Sequence, residues 1–175
     1  MNQLLEIMRK RRSVRKYTNE TVSDEQLQHI LQAGLLSPSG RRIRPWEFIV
    51  VKDRDVLQKL AYARTGAADM LKNASCAIVL IADYNKTDVW IEDCSIAIAY
   101  MHLMADSLGL GSCWIQGRLR ESAEGISSDE YVRNLLGYPE NLCLEAILSI
   151  GVPVEKKEPY AINELSEEKI HFNRY

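Results

Sequence analysis

The chain has 175 residues, 46% of them hydrophobic and 26% charged, with a formal net charge of −2. That length and apolar content supply one domain with a full core and exclude a disordered chain. The slight acidity argues against nucleic acid as the main partner, because a duplex binder carries a clear basic excess.

Cys76, Cys94, Cys113 and Cys143 lie far apart and form no Cys-x-x-Cys pair, the pattern of buried thiols in a reducing compartment. There is no signal-peptide pattern and no run of about 18 apolar residues, so a soluble cytoplasmic protein without membrane partners is expected.

Residues 2–12 place Leu4, Ile7, Met8 and Arg11 at helical spacing, predicting a first helix. Arg11-Arg12-Ser13-Val14-Arg15 packs three guanidiniums and a hydroxyl into five positions. In extended chain alternate side chains share a face, so Arg11, Ser13 and Arg15 point one way. Planar guanidiniums can hold phosphate oxygens bidentately. The segment is therefore read as a phosphate cradle, with a solvated basic stretch as the alternative.

Ser23 or Asp24 caps a second helix carrying Leu27, Ile30, Leu31 and Leu35, which Ser37-Pro38-Ser39-Gly40 stops. Residues 46–51 read as a short strand. A helical segment then runs from Asp53 to about Asn73, interrupted at Gly66. Residues 77–82 are apolar throughout, as a strand buried on both faces in mid-sheet requires. From about 89 to 108 the chain is helix-like and apolar on most sides, which suits the centre of a core or a dimer interface. Gly109 ends that helix. A strand at 111–115, a short helix at 127–136 and a last core strand at 143–150 follow. Strands alternating with helices indicate helical layers around one sheet. The tail after Pro153 carries Ile162, Leu165, Ile170, Phe172 and Tyr175. It is too apolar to float free and is expected to dock, a second subunit being one surface for it.

The familiar nucleotide motifs are missing. Gly109-Leu110-Gly111 begins like a dinucleotide-binding turn, but Trp114 takes the third glycine's place and the order is helix then strand. Neither a Gly-x-x-x-x-Gly-Lys-[Ser/Thr] loop nor a Gly-x-Ser-x-Gly elbow occurs. His29, His102 and His171 are far apart and lack carboxylate or cysteine company at ligand spacing, so no metal site is expected.

Four separated segments resemble the nitroreductase family of FMN-dependent oxidoreductases. They are Arg11-Arg12-Ser13-Val14-Arg15; Ser37-Pro38-Ser39-Gly40 through Pro45-Trp46-Glu47-Phe48-Ile49-Val50; Leu108-Gly109-Leu110-Gly111-Ser112-Cys113-Trp114-Ile115; and Gly151-Val152-Pro153-Val154-Glu155-Lys156. They stand in the family's order, and His171-Phe172-Asn173-Arg174-Tyr175 is similar to its closing segment. The resemblance implies an α+β fold with a central mixed, mostly antiparallel sheet flanked by helices. It also implies one domain over residues 1–175 and an intertwined homodimer, with the tail from about 155 to 175 docked on the partner. It implies FMN as cofactor, NAD(P)H as electron donor and a small-molecule electron acceptor such as a nitroaromatic or a quinone.

Carried over by position, the resemblance implies that Arg11, Arg12, Ser13 and Arg15 hold the FMN phosphate and ribityl hydroxyls. Pro38, Ser39 and Gly40 would approach the flavin ring from the other subunit. Gln116 and Gly117 would turn backbone amides toward flavin N5, and Lys156 or Lys157 would add positive charge at the phosphate. No catalytic acid–base pair is expected, because the flavin itself carries the hydride.

The chain departs from the family at Arg41-Arg42-Ile43-Arg44, where larger members carry amides before Pro-Trp. Arg42, or Arg44, is read as lying near the flavin pyrimidine or at the substrate mouth, selecting an anionic substrate or raising the reduction potential. A surface-exposed basic loop is the alternative. Tyr62, Tyr84, Trp90 and Trp114 are candidate ring-stacking groups, although Trp114, with Trp46, also suits packing beneath the sheet. Two further readings stay open: a flavoprotein of the same fold with other chemistry, such as reductive dehalogenation or enone reduction, and a non-catalytic flavin-binding dimer.

Overall fold

The side chain of Asn2 accepts the amides of Leu4 and Leu5, the capping device that short polar side chains supply at a helix start. In the computed structural model, which describes residues 2–175, α1 spans Gln3–Lys10. Arg11 then leaves helical backbone at φ −58° and ψ 120°, so the arginine-rich segment is extended rather than part of a last helical turn. Ser23 and Gln26 form a reciprocal capping box at the start of α2, Asp24–Leu35. The first strand, β1, is Trp46–Val51.

The long helical segment predicted from Asp53 divides. Asp53 caps α3, Arg54–Leu60, turns follow around Gly66, and a single 3-10 stretch covers Asp69–Asn73. The break has a tertiary cause. The Thr65 amide donates to the Glu121 carbonyl at 3.0 Å and its hydroxyl to the Ser122 carbonyl at 3.0 Å, pulling the chain out of helical register.

The remaining elements are β2 at Cys76–Asp83, α4 at Trp90–Ser107, β3 at Gly111–Gln116, α5 at Ser128–Leu136 and β4 at Leu142–Gly151. The strands form one sheet in the order β1-β2-β4-β3, each neighbour antiparallel. The parallel component is an isolated bridge between Ser13 and Ser112.

Strand β2 divides its side chains between two cores. Ala77, Val79 and Ile81 face one with Leu57 and Leu60 of α3 and Val132 of α5. Cys76, Ile78, Leu80 and Ala82 face the other with Ile30 of α2 and Ala97, Ile98 and Met101 of α4. That period-two division with no polar face is what a strand covered by helices on both sides must have.

Helix α4 buries a stripe from Asp93 to Ala105, yet Ile96 and Tyr100 on its outer side stand exposed. It ends where predicted: Gly109 takes φ +76°, and the amides of Gly109 and Leu110 return to the carbonyls of Asp106 and Ala105, a paired closure that favours glycine. The tail divides as well. Val154 donates to the Lys16 carbonyl and Tyr160 to the Arg9 carbonyl, so residues 154–160 run back along the chain's own 9–16 segment. Beyond them Leu165, Ile170, Phe172 and Tyr175 are uncovered in the protomer. No helix among the described residues is long and apolar enough to cross a membrane.

Candidate functional site

Strand β3 is a sheet edge, so one side of its backbone faces away from β4. The Val14 amide donates to the Ser112 carbonyl at 3.0 Å on that side. A Cβ on Gly111 would stand 2.7 Å from Cγ1 of Val14, so glycine is what allows the two backbones to approach so closely. The extended 11–15 segment is thereby laid along the β3 edge as a strap.

Each basic side chain on this strap has a separate fate. Nη1 of Arg11 lies 2.9 Å from Nε2 of His102, and Nδ1 of His102 is hydrogen-bonded with Oγ of Ser112. His102 is buried in α4. Burial, and then the charge of Arg11, push its pKa down to about 4. A neutral ring fits both contacts, accepting from Arg11 at Nε2 and donating Nδ1–H to Ser112.

Arg12 turns toward the tail, where Nη1 donates to the Glu158 carbonyl and the guanidinium sits 4.4 Å over the ring of Tyr160. Lys157 donates to the Ser13 carbonyl at 2.9 Å, whereas Lys156, exposed like its neighbour, has no hydrogen-bond or ion-pair partner among the described residues. Arg15 borders a recess of about 400 Å³ with Arg64, Gly66, Asp69, Cys113 and Trp114, a size that suits a small-molecule site. Burial pushes the Cys113 thiol up, and Arg15 opposes that shift.

At the end of β3, the Gly117 amide donates to the Glu145 carbonyl at 3.0 Å. Hydrogen bonding alternates along an antiparallel edge, so the backbone groups of Ser112, Trp114 and Gln116 turn outward, as the bond from Val14 to Ser112 already shows. The Gln116 side chain is spent internally: Nε2 donates to Oε1 of Glu145 at 3.2 Å, and Oε1 accepts from the Trp114 indole at 2.9 Å. Glu145 is buried and its Oε2 has no partner among the described residues. Burial raises its pKa and the hydrogen bond from Gln116 opposes the rise.

Pro38, Ser39, Gly40 and Arg42 lie elsewhere. The Gly40 amide donates to Oδ1 of Asp93 at 2.8 Å, and the Asp83 amide to the Pro45 carbonyl, fixing this loop at the β1 edge. Three strand spacings, about 14 Å, separate β1 from β3. Within one protomer the loop and the strap do not meet. Arg41, Arg42 and Arg44 all have positive φ, at 52°, 61° and 52°. Arg42 and Arg44 line a second recess of about 520 Å³ with Leu36, Pro38, Ser39 and Tyr100.

Two residues of this architecture escape a sequence reading. Arg64 reaches the recess from an irregular turn. His102 was legible only as a histidine in the apolar stripe of α4, four residues after Ile98 and three before Ala105.

The nitroreductase family model matches residues 8–64 and 57–152. The chain belongs to the nitroreductase family. A relative from Archaeoglobus fulgidus, provisionally described as an NADH dehydrogenase/NAD(P)H nitroreductase, is 38% identical with all of both chains covered. Among solved structures, an FMN-dependent nitroreductase from Clostridium difficile R20291 is 48% identical, covers 98% of this chain and 99% of its own, and superposes with a TM-score of 0.95. An NADPH:FMN oxidoreductase from Vibrio harveyi, complexed with NAD+, is 27% identical at a TM-score of 0.82, covering 99% and 78%. In this chain the four resembling segments become the strap, the β1-edge loop, β3 and the end of β4. Of the aromatic candidates, Trp114 borders the Arg15 recess, Trp90, the first residue of α4, packs against the core that contains Ile98 and Met101, and Tyr62 and Tyr84 are exposed.

Proposed function

We propose that this chain is an FMN-dependent oxidoreductase, taking electrons from NAD(P)H and passing them to a nitroaromatic, quinone or related small acceptor in alternating half-reactions. The observation that carries this reading is the β3 edge. There Lys157 of the tail reaches Ser13 on the strap that carries Arg11, Arg15 and Arg64 flank a recess, and the Gln116 amide faces outward. The donor set fits a phosphate at one end and an electron-rich ring edge at the other.

Arg11, held by His102, Ser13 and Lys157 would bind the phosphate of FMN. Arg12 serves indirectly, anchoring the tail segment that brings Lys157 to Ser13. Arg15 and Arg64 place positive charge at the recess, which favours a reduced, more negative ring. Gln116 offers a preorganised amide, held in place because the Gly117 amide is committed to Glu145. Bound FMN would supply the chemistry by accepting hydride at N5 and delivering it onward. The second half of each site would come from a partner protomer, whose Pro38–Gly40 segment reaches the ring. The uncovered Leu36, Tyr100 and Phe172 suit burial in such a homodimer with exchanged tails.

The test is the visible spectrum of protein reconstituted with FMN and desalted, then treated anaerobically with NADH and with NADPH. Retained flavin that bleaches with either donor is expected. Protein that holds no flavin would remove the cradle, and flavin that never bleaches would leave a binding protein. Size measurement in solution checks the dimer.

A further inference from the structure

Arg42 and Arg44 sit at one recess whose lining contains no acidic residue, and neither guanidinium has a hydrogen-bond or ion-pair partner among the described residues. Their backbone is unusual. Positive φ is uncommon for residues with a side chain, and here it recurs at three of four consecutive positions. Such conformations persist only where the surroundings enforce them, and they cluster at ligand sites.

The enforcement is visible. The Arg42 amide donates to the Ser39 carbonyl, the Ile43 amide to the Gly40 carbonyl, the Arg44 amide to Oγ of Ser39 at 3.0 Å, and the Gly40 amide to Asp93. A rigid frame therefore presents two like charges to one space, with Ser39 and Tyr100 beside them. Two guanidiniums held together without a counter-charge repel, and an oxyanion relieves the repulsion while satisfying their forked donors.

We propose that Arg42 and Arg44 form an oxyanion subsite that selects a carboxylate- or phosphate-bearing reactant for the flavin of the adjoining protomer. The proposal rests on the oxidoreductase reading for its position, since the same loop carries Pro38–Gly40 to the ring. The shared chemistry is a small oxyanion. Its source is either an acidic acceptor or the additional phosphate that distinguishes NADPH from NADH.

The experiment compares the wild-type holoprotein with Arg42→Gln/Arg44→Gln, using 4-nitrobenzoate against its neutral methyl ester, each with NADH and with NADPH. Wild type is expected to favour the acid over the ester at least tenfold in kcat/KM, through KM, and the double variant to erase that preference while reducing the ester within twofold. Loss instead of an NADPH preference would support the subsite and assign it to the donor. Calorimetric titration with 4-nitrobenzoate gives a readout free of turnover, with binding weakened at least tenfold in the variant. Equal binding by both proteins, together with unchanged acceptor and donor preferences, would overturn the proposal. Protein that binds the acid through these arginines yet bleaches with neither donor would keep the subsite and sink the oxidoreductase reading.

Discussion

Two arginine-rich segments of this chain, residues 11–15 and 41–44, share a composition and little else. On the first, Arg11 and Arg12 are held at His102, Glu158 and Tyr160, and the backbone is ordinary extended chain. On the second the backbone is strained and the guanidiniums reach into open space. The difference teaches that a basic run is not one kind of object. Where partners are protein groups, the arginines shape a site. Where the backbone is fixed and the side chains are left unpaired, they await something else.

The comparison breaks most severely at Arg11. Replacing it with alanine removes a charge-assisted donor from the cradle and the partner of His102. FMN binding is expected to weaken by two to three orders of magnitude, about 3–4 kcal/mol. Quenching of flavin fluorescence measures it, and an unchanged affinity would show that the strap does not hold the cofactor.

The next effect is a pH dependence confined to the first region. A free histidine titrates near 6.5, and His102 in the fold near 4. As pH falls, the unfolded chain takes up this proton first, so the stability contribution is whole above about 6.5 and is lost on the way down to about 4. Its size is up to about 3 kcal/mol. Urea denaturation of wild type and His102→Gln across that window should show the slope in wild type and a shallower one in the variant.

For the second region the anchor is Asp93. Asp93→Ala leaves the Gly40 amide without its acceptor and should cost about 1–3 kcal/mol, read by thermal or urea unfolding. Asp93→Asn, which keeps an acceptor oxygen, should restore most of the loss. The smallest effect belongs to Arg41, which does not line the recess. Arg41→Gly relieves positive φ and should stabilise the fold by about 0.5–1 kcal/mol with acceptor preference intact. Destabilisation there would mean that the Arg41 side chain makes a contribution of its own.

Much of this was legible in the residues. The apolar run at 77–82 shows a strand covered on both faces, and Gly109 marks the end of α4, because both signals depend on local chemistry. Gly66 marks the interruption of the helix after Asp53, but does not reveal that α3 already stops at Leu60, since Thr65 is held by a hydrogen bond to Glu121, 56 positions away. The composition of the strap is what its reading as a phosphate cradle rests on, yet nothing in it reveals that Arg12 would turn to Tyr160. Chain order likewise conceals that the strap and the loop lie at opposite sheet edges, for that follows from strand pairing alone.

Helix α4 holds both regions. Asp93 anchors the loop and His102 steadies the strap, nine positions apart, which on an α-helix is about 13 Å along the axis and half a turn around it. The helix thus works as a ruler, with each flank of its buried stripe fixing one of the two arginine-rich regions at a set spacing and heading. A single residue inserted between them would rotate one end by about 100° relative to the other, so the two regions are free to vary in sequence but not in phase.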